Sequence, residues 1–405
     1  MRGTAAPGSG TVDLELTPEQ REFSETVEKF ALRELNDDLV GRDRDGVFAE
    51  KNWRKCAATG LLGLPVPAEY GGQDADATTT TAALEALGYG CRDNGLLFSL
   101  HAHLWAGVSP IVRFGSAGQK ERYLPAMCAG ESIAGHAMSE PGSGSDAFAL
   151  TTSVTRRGGN YVLNGSKTFV SNAPIADVLL VFAVEERRRG FAGVSAFLVD
   201  RDTPGLTVSK PLSKMGLRTS PMGDVRLDDC EIPAACLLGP EGAGMAVFTW
   251  TMERERSFIL ATALGTMRRD LERCVEHART RHQFGQPIGS FQAVSHRIVD
   301  MRMRLDVSRL LLRRLARLTD RGEPTAVEAA LAKVYVSEAF VQSGLDAIQI
   351  HGGYGYSTEY EVERDLRDAL ASRIYSGTSE IQRDLAARHM GLSARTFGKE
   401  QRKSE

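Results

Sequence analysis

The sequence predicts an α+β chain in three parts: an amino-terminal helical unit, a middle β barrel or sandwich, and a carboxy-terminal helical bundle. Three observations carry this. Apolar spacing is helical from Thr17 to about Ile133, shortens to a period of two between about Ala134 and Gly244, and returns to helical spacing from Met245 onward. The expected domains are therefore 12–133, 134–244 and 245–395. Length agrees, because 405 residues with 42% hydrophobic content supply more than one core.

In the first part, Thr17-Pro18-Glu19-Gln20 is a helix start, with Thr as cap, Pro at the first position and an acid in the opening turn. Loops such as Tyr70-Gly71-Gly72 divide the region into several helices. The middle part has short β-rich runs at Tyr161 to Leu163, Val178 to Val184, Val194 to Val199, Leu206 to Ser209 and Val225 to Leu227, separated by Gly, Pro, Asn and Asp. The run from Val178 to Val184 reads as a buried strand and is too short to span a bilayer. In the last part Leu260, Leu264, Met267, Leu271, Cys274 and Ala278 mark one apolar helix face, and Val294, Ile298, Met301, Leu305, Leu312 and Leu315 another. A turn at Arg321-Gly322-Glu323-Pro324 and a third run from Val327 to Ile350 make a bundle the simplest packing.

A net charge of -3 gives no basic surface for nucleic acid. Cys56, Cys91, Cys128, Cys230, Cys236 and Cys274 lack the close pairing of a zinc site, so no metal is expected. No apolar amino-terminal stretch resembles a signal peptide, which points to reduced thiols, a cytoplasmic location and no membrane association. Residues 1–11, rich in Gly, Ala and Ser, read as a disordered extension.

The most informative stretch is Met138-Ser139-Glu140-Pro141-Gly142-Ser143-Gly144-Ser145-Asp146, followed by Asn164-Gly165-Ser166-Lys167-Thr168-Phe169-Val170-Ser171-Asn172. Pro141, Gly142 and Gly144 fix a sharply folded, amide-rich loop, and Asn164-Gly165 is expected to turn one strand back on another. Such a loop suits a flat ring with polar edges. With His277 to Gly285, Gln349-Ile350-His351-Gly352-Gly353-Tyr354-Gly355 and Ile374-Tyr375-Ser376-Gly377-Thr378, these stretches resemble the flavin-binding signature of the acyl-CoA dehydrogenase family, from about Leu16 to Leu392.

The resemblance implies a helical domain, a middle β barrel and a four-helix bundle, with FAD as cofactor. It places Met138, Ser139, Gly144, Ser145, Phe169 and Ser171 at the isoalloxazine. Arg281, Gln283 and Phe284 would lie at the pyrophosphate, with Arg281 reaching it from a neighbouring subunit, and Gln292, Gln349, Gly352 and Gly353 at the adenosine. Thr378 and Glu380 would complete the set, although Gln is common in the family where this chain has Glu380. His351 reads as a packing or hydrogen-bonding residue and is left out of catalysis.

Oxidising a thioester between its α and β carbons needs a carboxylate to take the α proton. Many family members hold that Glu between the counterparts of Tyr375 and Gly377, where this sequence has Ser376, and a serine hydroxyl does not do this unaided. In the family's second solution the Glu stands on the first long helix of the bundle, a position that alignment of Arg256 and Gly265 gives to Glu255. The residues three and four positions from Glu255 are Thr251, Met252, Phe258 and Ile259, an uncharged face, whereas Glu253 neighbours Thr249, Trp250, Arg256 and Ser257. Glu255 is the better candidate for a desolvated base. The resemblance also implies that the backbone N–H of Ser376 holds the enolate oxygen.

The motifs are similar to those of the family's secondary-metabolism branch. That implies dehydrogenation of a short acyl thioester on CoA or an acyl carrier protein, in polyketide or nonribosomal peptide precursor biosynthesis. An electron-transfer flavoprotein as acceptor and a homotetramer or homodimer are implied with it. Two other readings stay open: a flavin oxidase or hydroxylase of the same fold, and a non-catalytic flavin-binding protein.

Overall fold

The computed structural model describes residues 14–185, 190 and 192–392. The extension expected over residues 1–11 lies outside the described residues.

α1 (Pro18–Glu34) begins at Thr17, whose hydroxyl accepts from the Gln20 N–H while the Gln20 side chain accepts from the Thr17 N–H. The reciprocal partner of the cap is thus Gln20. α2 (Leu39–Asp45), α3 (Glu50–Ala58) and α4 (Ala77–Gly90) follow. α5 (Asn94–His101) continues through a π-helical stretch, Ala102–Val108, into α6 (Ser109–Phe114), and α7 (Ala117–Cys128) closes the region. The helix from Asn94 to Phe114 is apolar and long enough to cross a membrane, but most of it is buried inside the protein, as expected of a core helix.

The middle region is a seven-stranded sheet of β1 (Ala134–Ala137), β2 (Ser153–Arg157), β3 (Asn160–Ser171), β4 (Val178–Val184), β5 (Val194–Asp200), β6 (Leu206–Val208) and β7 (Met222–Pro233). Its order is β1-β4-β2-β3-β7-β6, with β5 paired to β4. β4 is buried along its length, and its parity divides two cores. Val178, Leu180, Phe182 and Val184 pack with Val108, Ile111 and Leu124 of the helical region. Leu179, Val181 and Ala183 pack with Phe197, Val225 and Ile232 inside the sheet.

One expectation is corrected here. Asn164-Gly165 does not turn the chain: both residues lie within β3, where the register against β7 shifts between Leu163 and Gly165. The reversal comes earlier, at Gly158-Gly159 between the paired strands β2 and β3. A second shift, between Lys167 and Val170, brackets Phe169. The Asn-Gly pair is absorbed as a bulge because β7 offers a long antiparallel partner on both sides of it.

The last region consists of α8 (Gly244–Phe258), α9 (Ala261–Thr280), a short hairpin of β8 (His282–Gln283) and β9 (Gln286–Pro287), α10 (Gln292–Asp320), α11 (Ala326–His351), α12 (Gly353–Tyr356), α13 (Val362–Ala371) and α14 (Ser379–His389). Leu264, Met267, Leu271, Leu305, Leu312, Val336 and Phe340 form its core. Gly265 seats α9 directly on α4, since a Cβ there would stand 2.1 Å from the Tyr89 nitrogen. α8 and α9 nearly abut at Ile259-Leu260, and Phe258 joins the amino-terminal core through Trp105. The last turn of α8 therefore lies where helical region and bundle meet.

Candidate active site

Glu255 occupies that last turn. Its helical neighbours Thr251, Met252, Phe258 and Ile259 are all buried, and Glu255 itself is 8% exposed. The Ser376 hydroxyl donates to Glu255 Oε1 at 2.5 Å. Burial pushes the Glu255 carboxyl above its ordinary value, against the Ser376 hydrogen bond and the charges of Arg256 and Lys333. Glu253 points elsewhere: the Thr325 hydroxyl donates to its Oε1 at 2.6 Å, tying α8 to the start of α11.

Ser376 and Gly377 both have positive φ, +57° and +89°. For a serine that conformation is unfavourable by ~1 kcal/mol or more and needs support from its surroundings. Arg256 Nε donates to the Ser376 carbonyl at 2.9 Å, and Gln382 Nε2 donates to the Ser376 and Gly377 carbonyls at 3.0 and 3.1 Å. Lys333 Nζ donates to the Gly377 carbonyl at 2.8 Å. Tyr375 packs on Phe98 with ring centroids 4.8 Å apart. The turn is thus held through its carbonyls, and among the described residues the Ser376 N–H has no recorded acceptor.

A second cluster surrounds the loop at 138–146. Glu140 is buried and accepts from the Thr151 N–H and hydroxyl, both at 2.6 Å, from the Thr152 N–H at 2.9 Å, and from Lys167 Nζ at 2.8 Å. Lys167 also donates to the Met138 carbonyl at 3.1 Å, and the Thr168 N–H to the Ser139 carbonyl at 2.9 Å. Burial opposes the charge on Glu140, but Lys167 and the threonine hydrogen bonds overcome it and hold the carboxyl down to about 2. The loop is thereby stitched to β3. Met138 is buried, Ser139 and Ser171 are half-buried, and Gly144 and Ser145 are exposed. Phe169 sits in the bulge at φ +55° with 65% of its surface exposed.

These features suit FAD. An exposed aromatic plate fixed in a strained bulge lies beside half-buried hydroxyls, and Cβ atoms built on Gly142 and Gly144 would meet open space. A flat ring laid there would cover apolar surface and find polar partners at its edge.

The remaining expected cofactor residues lie in two places, around the hairpin after α9 with the end of α11, and at the start of α14 directly after the Ser376 turn. Arg281, Gln283 and Phe284 lie on the exposed hairpin after α9, with Phe284 93% exposed. Arg281 stacks over the Tyr354 ring at 5.6 Å, beside Gly352 and Gly353, where α11 ends. Gln292 opens α10 and Gln349 stands in the last turn of α11, both exposed. His351 stacks on His277 and donates from Nδ1 to the Ala347 carbonyl, a packing arrangement. Thr378 caps α14 by accepting from the Ile381 N–H, and Glu380 is exposed in its first turn.

The model of the acyl-CoA dehydrogenase N-terminal domain matches residues 17–131, that of the middle domain residues 135–230, and that of the C-terminal domain residues 242–391. The chain belongs to the acyl-CoA dehydrogenase family. It is an FAD-dependent oxidoreductase that introduces a double bond between the α and β carbons of an acyl thioester. It is 44% identical over 353 residues to an L-prolyl-[peptidyl-carrier protein] dehydrogenase of Pseudomonas fluorescens, covering 87% of this chain and 93% of the relative. Among solved structures, the prolyl acyl carrier protein oxidase AnaB is similar at 47% identity and a TM-score of 0.92, covering 93% of this chain and 100% of that one. PigA with FAD and proline is similar at 41% identity and a TM-score of 0.92, covering 94% and 100%.

Two residues at this enzyme's sites, Lys333 and Glu140, are not singled out from sequence, and Ser376 is singled out there for its N–H but not for its hydroxyl. Lys333 and Glu140 are charges whose partners lie 44 and 27 residues away, and the Ser376 hydroxyl was read only as a lost carboxylate. A lysine within the apolar face of a long helix was the one available signal.

Proposed function

We propose that the enzyme dehydrogenates a prolyl group held as a thioester on a carrier protein, in the formation of a precursor for secondary metabolism, with Glu255 as the base that removes the α proton. The observation that carries the reading is the meeting of Glu255 and Ser376. The buried carboxylate stands beside the turn where many relatives keep theirs, with a hydroxyl on its oxygen. The substrate class rests on the relatives named for prolyl carrier proteins.

In this reading the raised pKa of Glu255 brings its basicity nearer to that of the carbon acid, and the Ser376 hydroxyl orients the attacking oxygen. The Ser376 N–H donates to the enolate oxygen as charge develops. FAD, when bound, supplies the two-electron acceptor for the β hydrogen. Met138, Ser139, Gly144, Ser145, Phe169 and Ser171 would hold its ring. Arg281, Gln283, Phe284, Gln292, Gln349, Gly352, Gly353, Thr378 and Glu380 would hold the dinucleotide, the exposed hairpin serving a neighbouring copy in a homodimer or homotetramer. An exposed apolar stripe on α10, Val299, Met303, Val307 and Leu310, supports such an assembly. A cytoplasmic setting and an electron-transfer flavoprotein as acceptor accompany the reading.

The test is anaerobic bleaching of bound flavin by prolyl and other acyl groups on phosphopantetheinylated carrier protein and on CoA. Rapid bleaching by the prolyl carrier thioester is expected, and bleaching by acyl-CoA alone would overturn the substrate class. The name of one relative, an oxidase, favours a second reading in which oxygen reoxidises the flavin directly. Reoxidation in air as fast as turnover would select it.

A further inference from the structure

Lys333 lies in the middle of α11 with its side chain fully buried. Its Nζ is 2.8 Å from the Gly377 carbonyl and 5.8 Å from the centre of the Tyr375 ring. Burying an ammonium against one carbonyl and one ring face is costly, and a nearby negative charge is the usual compensation. Burial, aided by Arg256, pushes its pKa down to about 8, while Glu255, Glu338 and Glu380 work in the opposite direction.

The charges bearing on Glu255 come from two elements. Arg256 stands on its own helix with Nε engaged by the Ser376 carbonyl, and Lys333 comes across from α11. The 375–377 turn presents a neutral hydroxyl and a phenol, Trp105 of the π-helical stretch packs an apolar ring on Phe258, and Glu253 is turned to Thr325. α11 also carries Glu338, which accepts from the Ser379 hydroxyl at 2.9 Å and pairs with Arg373 at 2.5 Å. One helix therefore anchors both flanks of the turn.

We propose that Lys333 is a positioning residue for proton abstraction: its buried ammonium, clamped on the Gly377 carbonyl, fixes the turn that presents the Ser376 hydroxyl and N–H, and supplies the charge that keeps Glu255 ionised. The proposal rests on the reading of Glu255 as the base. A methionine at 333 would fill the volume and provide neither function.

The test uses flavin-loaded Lys333→Met, Lys333→Gln and Lys333→Arg. Glu255 ionisation is followed without substrate, through the carboxylate infrared band that Glu255→Gln abolishes. In K333M and K333Q this band should titrate about one pH unit higher than in the wild type, while K333R stays near the wild-type value. The acid limb of anaerobic bleaching by the prolyl carrier thioester should move with it. A band that titrates at the wild-type pH in both neutral variants overturns the proposal. Should neither fold, the coupling is read from the other side, because it is reciprocal. The Lys333 Nζ resonance of lysine-labelled E255Q should then titrate about one unit below that of the wild type, and equal values overturn the proposal. Neither spectroscopic arm needs turnover, so a flavin that no thioester bleaches counts against the proposed function alone.

Discussion

Ser376 and Glu255, 121 residues apart in the chain, meet in a 2.5 Å hydrogen bond in which the serine hydroxyl donates to the carboxylate. In the proposed mechanism, the residue standing where many relatives carry the base thus supports a base supplied from another helix. Its donor stabilises the ionised carboxylate by ~1.5–3 kcal/mol. Ser376→Ala should therefore raise the acid limb of the bleaching rate. The loss should be about tenfold at pH 6 and within about threefold at pH 9, with flavin content unchanged. An equal loss at both pH values would mean that the hydroxyl does not govern ionisation.

The proposed mechanism predicts that the two positions can be exchanged. In Glu255→Gln with Ser376→Glu, a carboxylate is supplied from the turn instead of from α8. Bleaching should recover by about tenfold or more over E255Q alone. No recovery in a folded, yellow protein would argue that the turn does not face the substrate carbon.

Glu255 also predicts a pH dependence of stability. Burial raises its folded pKa above the ordinary glutamate value of about 4.5, so the folded chain holds the proton more tightly than the unfolded one. That contribution is fully present below about 4.5 and is lost as pH rises through the folded pKa. E255Q lacks the dependence. Its melting temperature relative to the wild type should climb between pH 4.5 and 8, and a constant difference would contradict the burial argument.

Lys167 and Glu140 form a buried pair at the 138–146 loop, where the proposed function places the flavin ring, and removing one partner strands the other. Lys167→Met should cost about 3–5 kcal/mol of stability and release flavin during gel filtration. Thermal melts and the absorbance ratio at 450 and 280 nm check this. A variant as stable and as yellow as the wild type would show that the pair does not organise the loop.

Much of this was legible in the sequence. The apolar spacing of Leu264, Met267 and Leu271, the continuous run Val178 to Val184 and the Thr17 cap are local signals, and the structure places each as its periodicity implied. The burial of Glu255 was legible because its helical neighbours carry no charge, a property that four residues decide. Asn164-Gly165 misled because turn propensity is local whereas its pairing with β7 is not. Lys333, Glu140 and the Ser376 hydroxyl escaped for a related reason, since their partners come from distant segments and no window of the sequence contains both.

The most direct test of the central claim is the anaerobic rate of flavin bleaching by a prolyl carrier thioester in Glu255→Gln. The amide keeps the shape of the carboxylate and removes its basicity, so the rate should fall by about 10³-fold or more while flavin content and fold are retained. A folded, flavin-loaded E255Q that bleaches within about tenfold of the wild type would place the base elsewhere.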